Sequence, residues 1–322
     1  TPAAALARGF PDRIARRRAE GEARYLLSGG GGARLDPAEP LARAALLVAV
    51  ELDGTPRGPD ARIRRAIALE RDELAAALGA RIEERRLCTW SARERRVRAR
   101  IEQRLGALVL GAVPWPDPPA EACAAALIEG IRALGLGALP GADRLQALLA
   151  RCRWLAAEGV EIPAPDEAAL LEALPEWLGS WLAGRRRLEE IDPATPAAAF
   201  EAWLGLDRTA LLRQLAPATI RSPLGRRLRI DYGAGRPELR VRVQELFGLD
   251  RHPCVGPRAT PVVLVLLSPA GRPIQITTDL PGFWRGSWAE VRREMRARYP
   301  KHPWPEDPLA ASPTLSARSR RR

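Results

Sequence analysis

Lysine is nearly absent from this sequence: Lys301 is the only one among 51 basic side chains. It sits between Pro300 and His302, so a Gly-Lys-Ser/Thr phosphate loop occurs nowhere in the chain. An acidic DExH box is missing too, and no ATP hydrolysis is expected of these residues alone. Histidine is equally scarce. His252 and His302 each precede a proline and lie far apart, which leaves no His-x-x-x-His pair for a metal. A Ser-His-Asp set assembled from Ser268, His302 and Asp279 would rest on residue type alone. The four cysteines, Cys88, Cys123, Cys152 and Cys254, include no C-x-x-C pair and are expected as buried free thiols in a reducing cytoplasm. No apolar run approaches the roughly 18 residues that cross a bilayer, so no membrane partner is expected. Residues 1–18 end in arginines rather than a small-residue cleavage site, unlike a signal peptide. A first residue of Thr suggests a fragment or a processed chain.

Arginine is what the chain has in quantity. The net charge of +12 divides as +7 over residues 1–110, −6 over 111–220 and +11 over 221–322. Two basic segments flanking an acidic one favour a polyanionic partner, with nucleic acid ahead of a membrane surface. The near-exclusive use of Arg, with much Ala, also fits a GC-rich coding sequence, so arginine abundance alone carries little weight.

The pattern along the chain gives an α+β multidomain protein. Residues 1–22 read as the end of a preceding helical domain, interrupted at Pro11. Residues 23–115 change to short strands. Gly29 to Gly32 make a hairpin turn, and residues 44–50 a buried strand. Ile63 and Ile67 alternate with Arg62 and Arg64, and Val97, Ala99 and Ile101 with Arg96, Arg98, Arg100 and Arg104. Period-two alternation puts one face inward and a cationic face outward. Five or six such strands suit an OB-like small β-barrel, which binds nucleic acid on an open sheet face. Tyr25 and Trp90 are the candidates for base stacking, and backbone phosphate is the expected contact.

The proline-rich stretch 114–119 reads as a linker. Residues 116–220 form an acidic helical subdomain, with apolar stripes such as Leu145, Leu148, Leu149, Cys152 and Leu155, and Trp181 and Trp203 within its continuing pattern. Residues 221–310 form a mixed α/β domain. There Leu228, Ile230 and Tyr232 alternate with charged residues, and Pro237 is expected to open a helix carrying Leu239, Val243, Leu246 and Phe247. Residues 262–267, a turn at Ser268 to Gly271, and residues 273–278 make a β-hairpin. One helix follows, with Trp284, Trp288, Val291 and Met295 on a buried stripe and Arg285, Arg292 and Arg296 on another. The tryptophans are expected to anchor this helix on the hairpin while the arginines contact phosphates. Residues 311–322 read as a basic disordered tail.

Residues 266–277, Asp279-Leu280, Phe283-Trp284, Ala289 to Arg292, and Arg298 to Pro305 resemble the C-terminal domain of the bacterial HrpB-type DExH-box helicases. Phe10 to Arg18, Trp177-Leu178, Leu206 to Pro217, Arg226 to Tyr232 and Gln244 to Gly248 extend the resemblance over nearly the whole chain. It implies an OB-type domain before the helical subdomain and an ATP-dependent helicase parent whose motor, with its ATP and Mg²⁺, lies outside this chain. No cofactor or metal is expected here. The expected partners are single-stranded RNA or DNA and the parent's motor domains. The alternative is a protein-interaction module docking through the acidic helices or the Trp-rich segment.

Overall fold

The computed structural model describes residues 1–53 and 60–317. The expected tail at 318–322 lies outside them. The chain divides into two compact units, Thr1–Ala126 and Leu127–Arg322. The division falls inside a helix rather than at the proline-rich stretch.

In the first unit, α1 (Pro2–Gly9) is capped by the Thr1 hydroxyl and ends before Pro11, as expected for a helix that meets proline. After a 3₁₀ turn at Pro11–Arg13, the arginines that the sequence placed on a helical turn continue into a strand. β1 (Ile14–Arg17), β2 (Arg24–Leu27), β3 (Gly32–Arg34), β4 (Leu46–Asp53) and β5 (Ala61–Ala68) close a barrel in the order β1-β2-β3-β5-β4, with β1 pairing β4. The barrel therefore begins inside the segment expected to end a helical domain. All its pairs are antiparallel except β3 with β5. Ala15, Tyr25, Leu27, Ala33, Leu47, Ala49 and Ile63 fill the interior.

Arg96 to Arg104 do not belong to this barrel. After α2 (Arg71–Leu78), β6 (Glu83–Ser91), β7 (Arg96–Leu105) and β8 (Leu108–Pro114) form a separate antiparallel meander. Its base supplies Leu105, Leu108 and Leu110 to a second core. That core also takes Ala3, Ala7, Leu74, Leu78 and the outward Ile14, Leu46 and Val48 of the barrel. Strands β1 and β4 are thus apolar on both faces where this core covers them.

The second unit takes the rest of α3 (Ala120–Leu134), then α4 (Ala142–Ala157), α5 (Glu167–Glu172), α6 (Leu174–Trp177), α7 (Thr195–Leu204) and α8 (Leu206–Leu215). The α4 stripe is buried at Leu145, Leu148, Leu149, Cys152 and Leu155. Leu134, Trp181 and Trp203 are exposed, although each falls on an apolar stripe of the sequence. Residues 127–220 and those that follow share one compact unit. Arg151, buried in α4, donates from Nε to the Ala216 carbonyl (2.6 Å) and from an NH2 group to Leu212 (3.3 Å), satisfying the last carbonyls of α8. Trp154 packs on Tyr232 with ring centroids 5.1 Å apart.

β9 (Thr219–Arg221) pairs with β10 (Arg227–Arg229). Glu238–Arg242, expected to begin a helix, is strand β11, followed by a short 3₁₀ turn at Val243–Leu246. Leu239 and Val241 are buried between exposed Arg240 and Arg242, and parallel pairing with the later β14 fixes the extended form. After the short β12 (Cys254–Val255) and β13 (Thr260–Pro261), β14 (Val263–Leu267) and β15 (Pro273–Thr277) form the expected hairpin, though Ile276 faces solvent. The helix that follows is broken in two, α9 (Leu280–Arg285) and α10 (Trp288–Arg298), at Gly286-Ser287. Residues 311–317 lie in no helix or strand, but the Thr314 N–H donates to the Gln244 carbonyl. Cys123 and Cys152 are buried; Cys88 is half-buried and Cys254 exposed, contrary to the expectation for all four.

Candidate nucleic-acid interface

The alternation of the barrel strands decides which arginines reach its surface. Tyr25, Ala33 and Ile63 point inward, so Arg24, Arg34 and Arg62 point outward. The register sets these three side by side across the sheet: Arg24 opposite Arg34 on β2 and β3, and Arg34 opposite Arg62 on β3 and β5. Such a row of like charges repels itself unless something answers it. Asp60 answers one end. Its carboxylate accepts from Arg24 Nε at 2.7 Å and from Arg18 at 3.5 Å, and the bond to Arg24 raises the pKa of that guanidinium above its ordinary value. Asp60 lies over Gly32, where a Cβ would come within 1.9 Å of its Oδ1, so glycine is needed for that approach.

Arg34 and Arg62 are exposed, and their side chains have no hydrogen-bond or ion-pair partner among the described residues. Arg34 lines a cleft of about 610 Å³ with Arg24, Asp60, Ala23, Leu35 and Pro37. A second cleft of about 310 Å³ is lined by Arg34, Arg62, Asp36, Leu35 and Pro37. Two free guanidinium groups over shallow clefts suit phosphate oxygens, which arginine binds in a fork.

The other arginines expected at the site are placed differently. Arg64 is held by Asp53 through Nε at 3.2 Å and a second nitrogen at 2.5 Å. Arg96, Arg98, Arg100 and Arg104 do share one face of β7, but each is paired with one of two carboxylates. Arg98 and Arg96 both pair with Glu94, whose carboxyl is held below the usual carboxylate range chiefly by Arg98. Buried Glu102 sits between Arg100 (2.7 Å) and Arg104 (3.7 Å). Tyr25, a candidate for base stacking, is 0% exposed, and its hydroxyl lies within hydrogen-bonding distance of the carbonyls of Leu41, Ala42 and Ala44. It is a core residue.

In the second unit, Arg285 and Arg296 are exposed, with no side-chain partner among the described residues. Arg292 is committed: Nε donates to the Trp304 carbonyl at 3.1 Å, and its other end pairs with Glu306 at 2.7 Å. The tryptophans of this segment pack on other aromatic rings. Trp288 meets Phe247, Phe283, Trp284 and Trp304 at centroid distances of 5.4–6.1 Å, and its indole N–H donates to Pro305. Trp284, Trp288 and Trp304 are thus buried in the core. Ser268 reaches the Tyr299 hydroxyl and Asp279 caps α9; neither is hydrogen-bonded to His302. Among the described residues no group of three His, Cys, Asp or Glu side chains could hold a metal ion, and no helix is long and apolar enough to cross a membrane.

Arg24 and Arg34 escaped the sequence reading, although a hairpin centred on the four glycines sets them opposite each other. The neighbouring Arg62 depends on a parallel pairing that no local pattern announces.

Residues 177–308 match the HrpB_C family, described as the ATP-dependent helicase C-terminal domain. Over 314 residues, 96% of its length, the chain is 36% identical to the ATP-dependent RNA helicase HrpB of Escherichia coli strain K12. It belongs to the C-terminal region of the HrpB-type helicases. The chain spans 38% of the length of that E. coli relative. Two solved structures are similar to it. One, a crystal structure of the E. coli DExH-box NTPase HrpB, has a TM-score of 0.56 and 36% identity, covering 97% of this chain and 39% of that one. The other, a crystal structure of the Escherichia coli DEAH/RHA helicase HrpB, has a TM-score of 0.50 and 32% identity, covering 94% and 38%.

Proposed function

We propose that this chain is an accessory region that holds single-stranded nucleic acid beside the motor domains of an HrpB-type ATP-dependent helicase. The observation that carries the reading is the pair Arg34–Arg62, adjacent in register, exposed and unpartnered among the described residues, over the barrel clefts. In this reading the barrel is of the OB type: five short strands, closed, with the last two out of sequence order. Its arginine row tracks the phosphate backbone, which gives affinity without base selection. RNA is the favoured strand, because the E. coli relative is named an RNA helicase. ATP turnover belongs to the motor. The region contributes grip on the strand.

The test is binding of a labelled oligoribonucleotide to the purified chain. R34A/R62A is expected to weaken it markedly, and R64A, which removes a cation already held by Asp53, to weaken it less. Equal losses from both would show that bulk charge, and not this pair, is at work.

A further inference from the structure

The meander β6-β7-β8 has a second face, which the arginine alternation of β7 leaves to smaller and apolar side chains. In register, Trp90 lies opposite Val97, Cys88 opposite Ala99, and Arg86 opposite Ile101, which in turn faces Val113 on β8. The Trp115 N–H donates to the Ala99 carbonyl at 3.1 Å, continuing the β8 ladder by one residue. Directly opposed residues point to the same side of a sheet, so Trp115 stands beside Ala99. Its contact with Arg86 agrees, for the Arg86 guanidinium lies 5.7 Å from the Trp115 ring centroid. The result is a shallow floor of Ala99 and Cys88, with Trp90 on one side and Trp115 on the other. Val113, at the rim, is 58% exposed.

Two features of this face point to one kind of occupant. A planar cation resting on an indole occupies the position a flat base takes in a stack. Arg86 is exposed and has no carboxylate partner among the described residues, so it is available to a phosphate once displaced. An aromatic face with an adjacent uncommitted arginine is the combination that holds unpaired strands through stacking and charge together.

We infer that Trp115, with Arg86 beside it, is a stacking site for an unpaired base of single-stranded nucleic acid, outside the barrel. The base takes the guanidinium's place on the indole, and Arg86 swings to the neighbouring phosphate. This rests on the nucleic-acid reading above and adds base stacking to it. The site does not discriminate among bases, because each has a π face.

The experiment measures binding of a labelled oligouridylate, and of the same strand carrying abasic positions, to the full chain across a salt series. Thermal melts of each variant run alongside. W115L is expected to lose about tenfold in affinity at unchanged salt dependence, within the range for one stacked base. W115F should stay within about twofold of wild type, and the abasic strand should bind wild type as weakly as the intact strand binds W115L. R86A should reduce the slope of log K against log salt by about 0.7, one phosphate on a single strand. If W115L binds like wild type while R34A/R62A is impaired, the stacking site is refuted and the barrel reading stands. If wild type shows no salt-dependent binding at all, both fall.

Discussion

Replacing Trp288 by alanine removes the centre of the aromatic cluster that fixes the end of the chain. Trp288 is 2% exposed and touches four other rings, and its N–H holds the Pro305 carbonyl at 3.1 Å. Truncating a buried tryptophan costs about 3–5 kcal/mol. Loss of the favourable ring pairs, about 0.5–1.5 kcal/mol each and not additive, keeps the value in the upper half of that range. W288F retains most of the packing and loses the hydrogen bond, for which about 1–2 kcal/mol is expected. Guanidinium denaturation of the whole chain reads this from the midpoint of the second unit's transition. The strap formed by residues 299–308 depends on the same packing through Trp304 and Arg292. Trypsin should therefore cut after Arg298 and Lys301 faster in W288A than in wild type. A shift below about 1 kcal/mol, with unchanged cleavage, would refute the view that this cluster holds the strap.

Three further outcomes follow from other groups. R151A leaves the Leu212 and Ala216 carbonyls without their charged donor and should cost about 2–3 kcal/mol in denaturant melts, with R151K recovering little because one ammonium cannot reproduce the planar fork. His252 is half-buried and bonds as a neutral imidazole, Nε2 donating to the Val262 carbonyl and Nδ1 accepting from the Leu280 N–H; this partial burial lowers its pKa below the usual value. Its contribution to stability is therefore complete above about pH 6.5 and is lost as pH falls below that towards the folded-state value, so urea melts should show a loss in that window that H252Q lacks. Burial pushes the Cys152 thiol up to about 11, so a disulfide reagent at neutral pH should titrate exposed Cys254 quickly and Cys152 only on unfolding, and C254S should remove a fast phase.

The elements whose pattern is local were legible in the sequence. The hairpin at Val263–Thr277, the glycine hairpin at Gly29 to Gly32 and the α4 stripe each follow from a few neighbouring residues, and each is found in the structure. The β11 strand was not legible. Leu239, Val243, Leu246 and Phe247 fit a helical spacing, and only buried Val241 and the distant partner β14 tell strand from helix. Long-range pairing also decided the candidate site. The alternation of β7 placed its arginines on one face correctly, but Glu94 and Glu102 pair with them, one from a turn and one from within the strand. Arg34 and Arg62 are brought together by a parallel pairing between segments separated by β4.

The central claim is that Arg34 and Arg62 grip phosphate. The most direct measurement is the slope of log K against log salt for a single-stranded oligoribonucleotide, with wild type and R34A/R62A compared. Each phosphate on a single strand that an arginine no longer neutralises lowers the steepness of that slope by about 0.7. For two arginines, the account predicts a slope shallower by about 1.4 in the double variant, with its melting behaviour unchanged. An identical slope in the two proteins would contradict it.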